Sequence, residues 1–251
     1  MPAETIADPR FIEAGGSRIA YRLREGRSPT LVCLPGYASD MDGTKALALD
    51  AFAEVRGLAM LRFDYSGTGS SEGAFEDGTL GGWLDEALNL LDTQTAGPVV
   101  LVGSSMGGWI ALLMAIQRPE RIAALVGIAA APDFTDWGFS DREKRILRET
   151  GRLEQPNPYG PDPQVTTRRF WQSGEALRLL HQPIAVECPV RLIHGDADND
   201  VPVTVAVKTM QQVRSADVQL LVLKGGGHRL SARHEIEAIL RAVAGVLETT
   251  A

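Results

Sequence analysis

Apolar and polar positions along this chain switch between two periods. Short apolar runs alternate with longer stretches in which apolar residues recur at helical spacing, the pattern of strands alternating with amphipathic helices. The first two runs, "RFIEAGG" and "SRIAYRLREG", predict strands joined as a hairpin at Gly15-Gly16. "TLVCLPG", Thr30 to Gly36, predicts a buried strand that ends in a Pro-Gly break. "GTKALALDAFAEVRG" is helical and stops at Gly57, "LAMLRFDYSG" is a strand, "GGWLDEALNLLDTQTAG" a helix and "PVVLVG" the next strand. A helix after Ser105 leads to "IAALVGIAAAP", a strand ending at Pro132. From Asp133 to Glu187 the pattern breaks, with many charges and prolines and few regular apolar runs. Alternation resumes with "PVRLIHG", a helix near Val203 to Arg214, "VQLLVLKGGG" and a last helix from Ser231 to Leu247.

Strands alternating with helices imply an α/β fold, a mainly parallel sheet covered on both faces. The irregular stretch is an insertion over that sheet, because the sheet pattern resumes beyond it. It is expected to fold as a short, mostly helical lid. The 251 residues fit one large α/β domain, 1–251, with the insertion at 133–187 inside it. No internal repeat interrupts it.

Charge and composition narrow the partners. A net charge of −7 with no basic run argues against a nucleic-acid partner. Cys33 and Cys188 lie in apolar, strand-like contexts and are expected to be buried free thiols. The start, "MPAETIADPRF", carries Glu4 and Asp8 and has no apolar core, so it reads as neither a secretory signal nor a transit peptide. No apolar run reaches membrane-spanning length. These features predict a soluble protein in a reducing compartment, the cytoplasm, without stable membrane insertion.

The chemistry begins at "LVGSSMGGWIALLMA", where a strand turns into a helix. G-x-S-x-G fits in one register: Gly103, Ser104, Ser105, Met106, Gly107. In such a motif the central serine occupies a strained turn that lifts its hydroxyl above the sheet. Small residues at Gly103 and Gly107 let neighbouring backbone pass close by. The N–H groups and dipole of the following helix face the same place. A serine is a weak nucleophile without a base. Of the four histidines, His181 lies in the insertion, His234 inside the last helix, and His194 ends a strand, where it holds a turn. His228 sits on a glycine loop between the last strand and the last helix, where an imidazole can reach Ser105. A carboxylate must orient that base, and "HGDADNDVP" offers Asp196, Asp198 and Asp200. A calcium loop is excluded, since Val201 stands where glycine is needed and Val207 where glutamate is needed. "GTGSSEG" is no P-loop either, lacking a following Gly-Lys-Ser/Thr. The order serine, aspartate, histidine is that of α/β-hydrolases.

The stretch His194, Gly195, Asp198, Val201, Pro202 resembles the H-G-x-x-D-x-x-V-P signature of that family. The resemblance makes Asp198 the acid of the triad and leaves Asp196 and Asp200 as loop or surface carboxylates. "LPGYAS" resembles the family's oxyanion loop, which implies that the backbone N–H groups of Tyr37 and Met106 hold the oxyanion; Pro35-Gly36 replaces the family's His-Gly start. More narrowly, "DGTKALAL", "RFDYSGTGSSEG", "VGSSMGGW" and His228-Arg229 resemble the α/β-hydrolase-domain family of palmitoyl-protein thioesterases and acyl-glucuronide esterases. That resemblance implies a serine hydrolase acting on an acyl ester or thioester, an acylated protein included, with no metal and no organic cofactor. Trp137, Phe139, Phe170 and Trp171 in the insertion either line an acyl pocket or form the insertion's own core. A general small-ester carboxylesterase, a perhydrolase or lyase, or a non-catalytic binder on the same fold are the alternatives; a haloalkane dehalogenase would need aspartate at Ser105.

Overall fold

The computed structural model describes residues 8–157, 160, 161 and 163–249. The opening segment with Glu4, read above for targeting signals, lies mostly outside these residues. Strands β1 (Arg10–Ala14), β2 (Ser17–Arg24), β3 (Arg27–Leu34), β4 (Leu58–Phe63), β5 (Val99–Ser104), β6 (Ile122–Ile128), β9 (Val190–Gly195) and β10 (Val218–Leu223) form one sheet of order β1-β2-β4-β3-β5-β6-β9-β10. β2 runs antiparallel to β1 and β4, and all later pairings are parallel. The β1–β2 connection is the expected hairpin: Gly15 and Gly16 both take positive φ, as a tight primed turn requires.

Alternation along the central strands feeds two cores. On β5, Val99 and Leu101 join the core shared with α2 (Leu80–Gln94) and α3 (Met106–Gln117), while Val100 and Val102 join the core under α1 (Thr44–Arg56) and α8 (Arg233–Thr249). A central parallel strand is covered on both sides, which is why "VVLV" is apolar at every position. Helix α7 (Val203–Gln212) adds Val205 to the first core. Cys33 is buried on β3 and Cys188 is half-buried; both are free thiols, and burial pushes each up to about 11.

The stretch between β6 and β9 carries the expected helices and adds a small sheet that the sequence pattern does not predict. It holds α4 (Phe134–Trp137), α5 (Asp141–Thr150), α6 (Arg168–Ala176) and a two-stranded antiparallel sheet of β7 (Arg152–Gln155) and β8 (Gln164–Thr167). "RLEQ" and "QVTT" show no apolar alternation; each buries one side chain, Leu153 and its register partner Thr166, and the rest of their strand character comes from pairing with each other. Asp133, buried at the start of the stretch, accepts the Leu179 and Leu180 N–H groups at 2.7 and 2.8 Å and so clips its two ends together. Among the described residues no helix is long and apolar enough to cross a membrane.

Candidate active site

Ser105 stands where β5 turns into α3, with φ 53° and ψ −118°. A non-glycine residue there carries about 1–3 kcal/mol of strain. The surroundings hold it: Ser105 N–H donates to Ile128 O at 2.9 Å, and Ser105 O accepts Gly108 N–H at 2.9 Å and Ala131 N–H at 3.1 Å. The glycine frame is steric. A Cβ on Gly103 would run into Gly107 O, and one on Gly107 into the carbonyl oxygens of Leu34 and Pro35. That contact brings the end of β3, and Tyr37 after it, beside the serine.

Three side chains from three loops meet in one hydrogen-bonded chain. His228 Nε2 lies 3.1 Å from Ser105 Oγ, and His228 Nδ1 lies 2.9 Å from Asp198 Oδ2. An ionised carboxylate only accepts, so Nδ1 carries the proton and Nε2 is left to accept from the serine hydroxyl. Asp198 Oδ1 accepts the Asp200 and Val201 N–H groups, both at 2.9 Å. The Asp198 side chain is fully buried, while that of His228 keeps 17% of its surface. Burial pushes the Asp198 carboxyl up, but the bonds from His228, Val201 and Asp200 outweigh it and hold the group below the ordinary carboxylate range.

The other candidates fall elsewhere. His181 and His234 are exposed. His194 is fully buried, and its Nε2–H donates to Val201 O at 2.8 Å, the turn-holding part expected of it. The same nitrogen lies 3.4 Å from Asp198 Oδ2, a proximity not read from the sequence, although the four-residue spacing carried the signal. Asp196 is more than a surface carboxylate: its Oδ1 accepts the Gly225 N–H at 2.5 Å and ties the aspartate turn to the loop that carries His228. Asp198, Asp200 and His228 place ligand atoms within 4.8 Å of one another. Asp198 Oδ2 and His228 Nδ1 are already bonded to each other, so a cation would have to break that bond to enter.

Met106 opens α3, so its N–H is one of those a helix leaves without an internal acceptor. Tyr37 follows Gly36 in the loop after β3. Its ring lies 4.8 to 6.0 Å from those of Phe75, Trp83, Phe134 and Phe170, and its hydroxyl donates to Val165 O at 2.7 Å. The four aromatic candidates of the insertion separate. Phe139 and Trp171 pack with Leu147 and Leu153 in a small core of the insertion's own, and Trp171 Nε1–H donates to Thr135 O at 3.0 Å. Phe170 is buried among the Tyr37, Trp83 and Phe134 rings. Trp137 is half-buried, with its Nε1–H on Pro132 O at 2.8 Å.

A half-buried serine on a strand-to-helix elbow, a histidine on the last loop and an aspartate on the turn before it, all at the carboxyl edge of a mainly parallel sheet, define the class. A sequence profile of the α/β-hydrolase family matches residues 31–242, and the chain belongs to that family. It is an enzyme, a hydrolase. Among its relatives, the human mitochondrial palmitoyl-protein thioesterase ABHD10 is 38% identical over 234 residues, 92% of this chain and 76% of that protein. The mouse α/β-hydrolase domain-containing protein 10 superposes with a TM-score of 0.91 at 34% identity, over 98% of this chain and 100% of that one. A putative hydrolase from Agrobacterium vitis superposes with a TM-score of 0.88 at 40% identity, over 95% and 97%. The human relative is named as mitochondrial, so the cytoplasmic location expected from the sequence gains no support from it.

Proposed function

We propose that the chain is a serine hydrolase that cleaves acyl esters and thioesters through an acyl-enzyme. The observation that carries this reading is the unbroken chain from Ser105 Oγ through His228 to Asp198, at 3.1 and 2.9 Å. Ser105 Oγ attacks the acyl carbonyl carbon while its proton passes to His228 Nε2. The oxyanion that forms accepts the N–H groups of Tyr37 and Met106. Collapse of the tetrahedral intermediate expels the alcohol or thiol, which takes the proton from Nε2. His228 then deprotonates a water, which attacks the acyl-enzyme and releases the acid and the serine. Asp198 keeps the proton on Nδ1 and stabilises the imidazolium.

Thioesters come first among the substrates because the ABHD10 relative is named a palmitoyl-protein thioesterase; acyl-glucuronides follow from the family resemblance of the motifs. Residues 133–187 act as a lid over the cleft in a single domain. A second reading, a general small-ester carboxylesterase, is favoured by the burial of Phe139 and Trp171 inside the insertion, which withdraws two of the four rings that could have lined an acyl pocket. The test is fluorophosphonate labelling together with turnover of p-nitrophenyl esters and acyl-thioesters from acetyl to palmitoyl. Labelling and turnover that are lost in Ser105→Ala and retained in Ser104→Ala support the serine assignment. A rise in kcat/KM with chain length favours the long-chain thioesterase, and a flat series the carboxylesterase. Full activity in Ser105→Ala would remove the proposal.

A further inference from the structure

The two amides read as oxyanion donors are held in different ways. Met106 N–H belongs to the first turn of α3 and has the rigidity of the helix. Tyr37 N–H belongs to a turn: Ala38 has φ 54°, residues 38–40 are exposed, and the backbone bond across the turn, Ser39 N–H to Gly36 O, is 3.2 Å long. The stronger anchor of residue 37 is therefore its side chain. Phe75 and Trp83, against its ring, come from the body of the sheet domain, whereas Phe134 and Phe170, at 6.0 and 4.8 Å, come from the insertion. Its hydroxyl reaches further into the insertion, to Val165 O on β8 at 2.7 Å. Phenylalanine would fill the same ring cluster; only the bond to β8 requires the hydroxyl.

Building on the serine-hydrolase reading above, we propose that Tyr37 is a positioning residue that couples the seating of the 133–187 insertion to the placement of its own amide at the oxyanion. Acyl transfer is fast when β8 is seated on the Tyr37 hydroxyl and slows when it lifts, so the insertion governs the chemical step as well as access. A substrate that displaces β8 loses turnover even where it binds well.

The experiment compares wild type with Tyr37→Phe on a short p-nitrophenyl ester, where the acyl chain adds little binding. It reads kcat, KM, the inhibition constant of an aryl boronic acid whose tetrahedral oxygen occupies the oxyanion position, and Tm. The expected result is a fall in kcat of about fivefold, which is about 1 kcal/mol, the usual worth of one hydrogen bond. The boronate should weaken by the same factor, with KM within about twofold of wild type. Tyr37→Leu, which also removes the ring, should lower kcat and boronate affinity further, and in the same proportion. A Tyr37→Phe enzyme with lowered Tm but unchanged kcat and boronate affinity would reduce the hydroxyl to packing and overturn the inference. A rise in KM alone would overturn it too, by making Tyr37 a ground-state contact. Wild type that fails to label with a fluorophosphonate would instead remove the underlying hydrolase reading.

Discussion

Asp198→Asn changes one oxygen to an NH2 at almost constant volume, and the surroundings dictate which way the amide turns. Asp198 Oδ1 accepts two backbone N–H groups, from Asp200 and Val201 at 2.9 Å each. An NH2 cannot accept from either, so the asparagine oxygen stays on that side and its NH2 faces His228. The NH2 then donates to His228 Nδ1, which must become the acceptor, and the ring proton moves to Nε2. Nε2–H pointing at Ser105 Oγ, 3.1 Å away, cannot take the serine proton. Loss of the correct tautomer in a triad of this kind costs on the order of 10⁴ in kcat, about 5.4 kcal/mol of transition-state stabilisation. The backbone bonds of the turn survive, so the fold should survive with them. The assay is kcat/KM on a p-nitrophenyl ester at neutral pH, with Tm as the control and Asp200→Asn as the comparison. Retention of more than about a tenth of wild-type kcat/KM, or an equal loss in Asp200→Asn, would refute the reasoning. The same bonds set a pH dependence. The folded-state pKa of Asp198 is depressed, because burial is outweighed by the hydrogen bonds it accepts. Its stability contribution is therefore full above the unfolded carboxylate value of about 3.9 and is lost as pH falls through the folded value. The urea midpoints of wild type and Asp198→Asn should differ at pH 7 and converge in strong acid.

Gly107→Ala should lower Tm and activity together, because the added Cβ meets the Leu34 and Pro35 carbonyls; an active, stable variant would mean that the end of β3 can withdraw. EDTA should leave turnover unchanged, since the acid and imidazole that approach Asp200 are bonded to each other; loss of activity restored by a divalent ion would contradict this. Trp171→Ala should cost about 3–5 kcal/mol locally by opening the small core it shares with Phe139, Leu147 and Leu153. Limited proteolysis should then cut residues 133–187 faster, while the acyl-chain profile keeps its shape; a selective loss of long-chain activity with unchanged proteolysis would return the ring to the substrate.

Much of the fold is legible in the sequence because a doubly covered parallel sheet writes a strong signal. Val99 to Val102 must be apolar throughout when each face of β5 meets its own core, and helices such as α1 end where Gly57 stands. Ser105 is legible because a strained turn under close backbone admits only glycine two positions to either side, at 103 and 107, and His228 because each other histidine has a different place to be. Local sequence is silent where the cause is distant. The Ser105–His228 bond spans 123 positions and exists because the sheet order sets β3 between β4 and β5 and brings β9 and β10 in beyond β6. The choice among Asp196, Asp198 and Asp200 needed a motif resemblance, since three similar acids two residues apart differ only in which oxygen meets His228 and which meets Gly225. The insertion was the least legible part. β7 and β8 are mostly polar and hold together by pairing and by one buried pair, Leu153 and Thr166, and the insertion's aromatic residues carry no mark of whether they face the cleft or one another. Tertiary packing decided that, sending Phe139 and Trp171 inward and Phe170 against the ring of Tyr37, because a ring's burial depends on which neighbours the fold brings to it and not on its place along the chain.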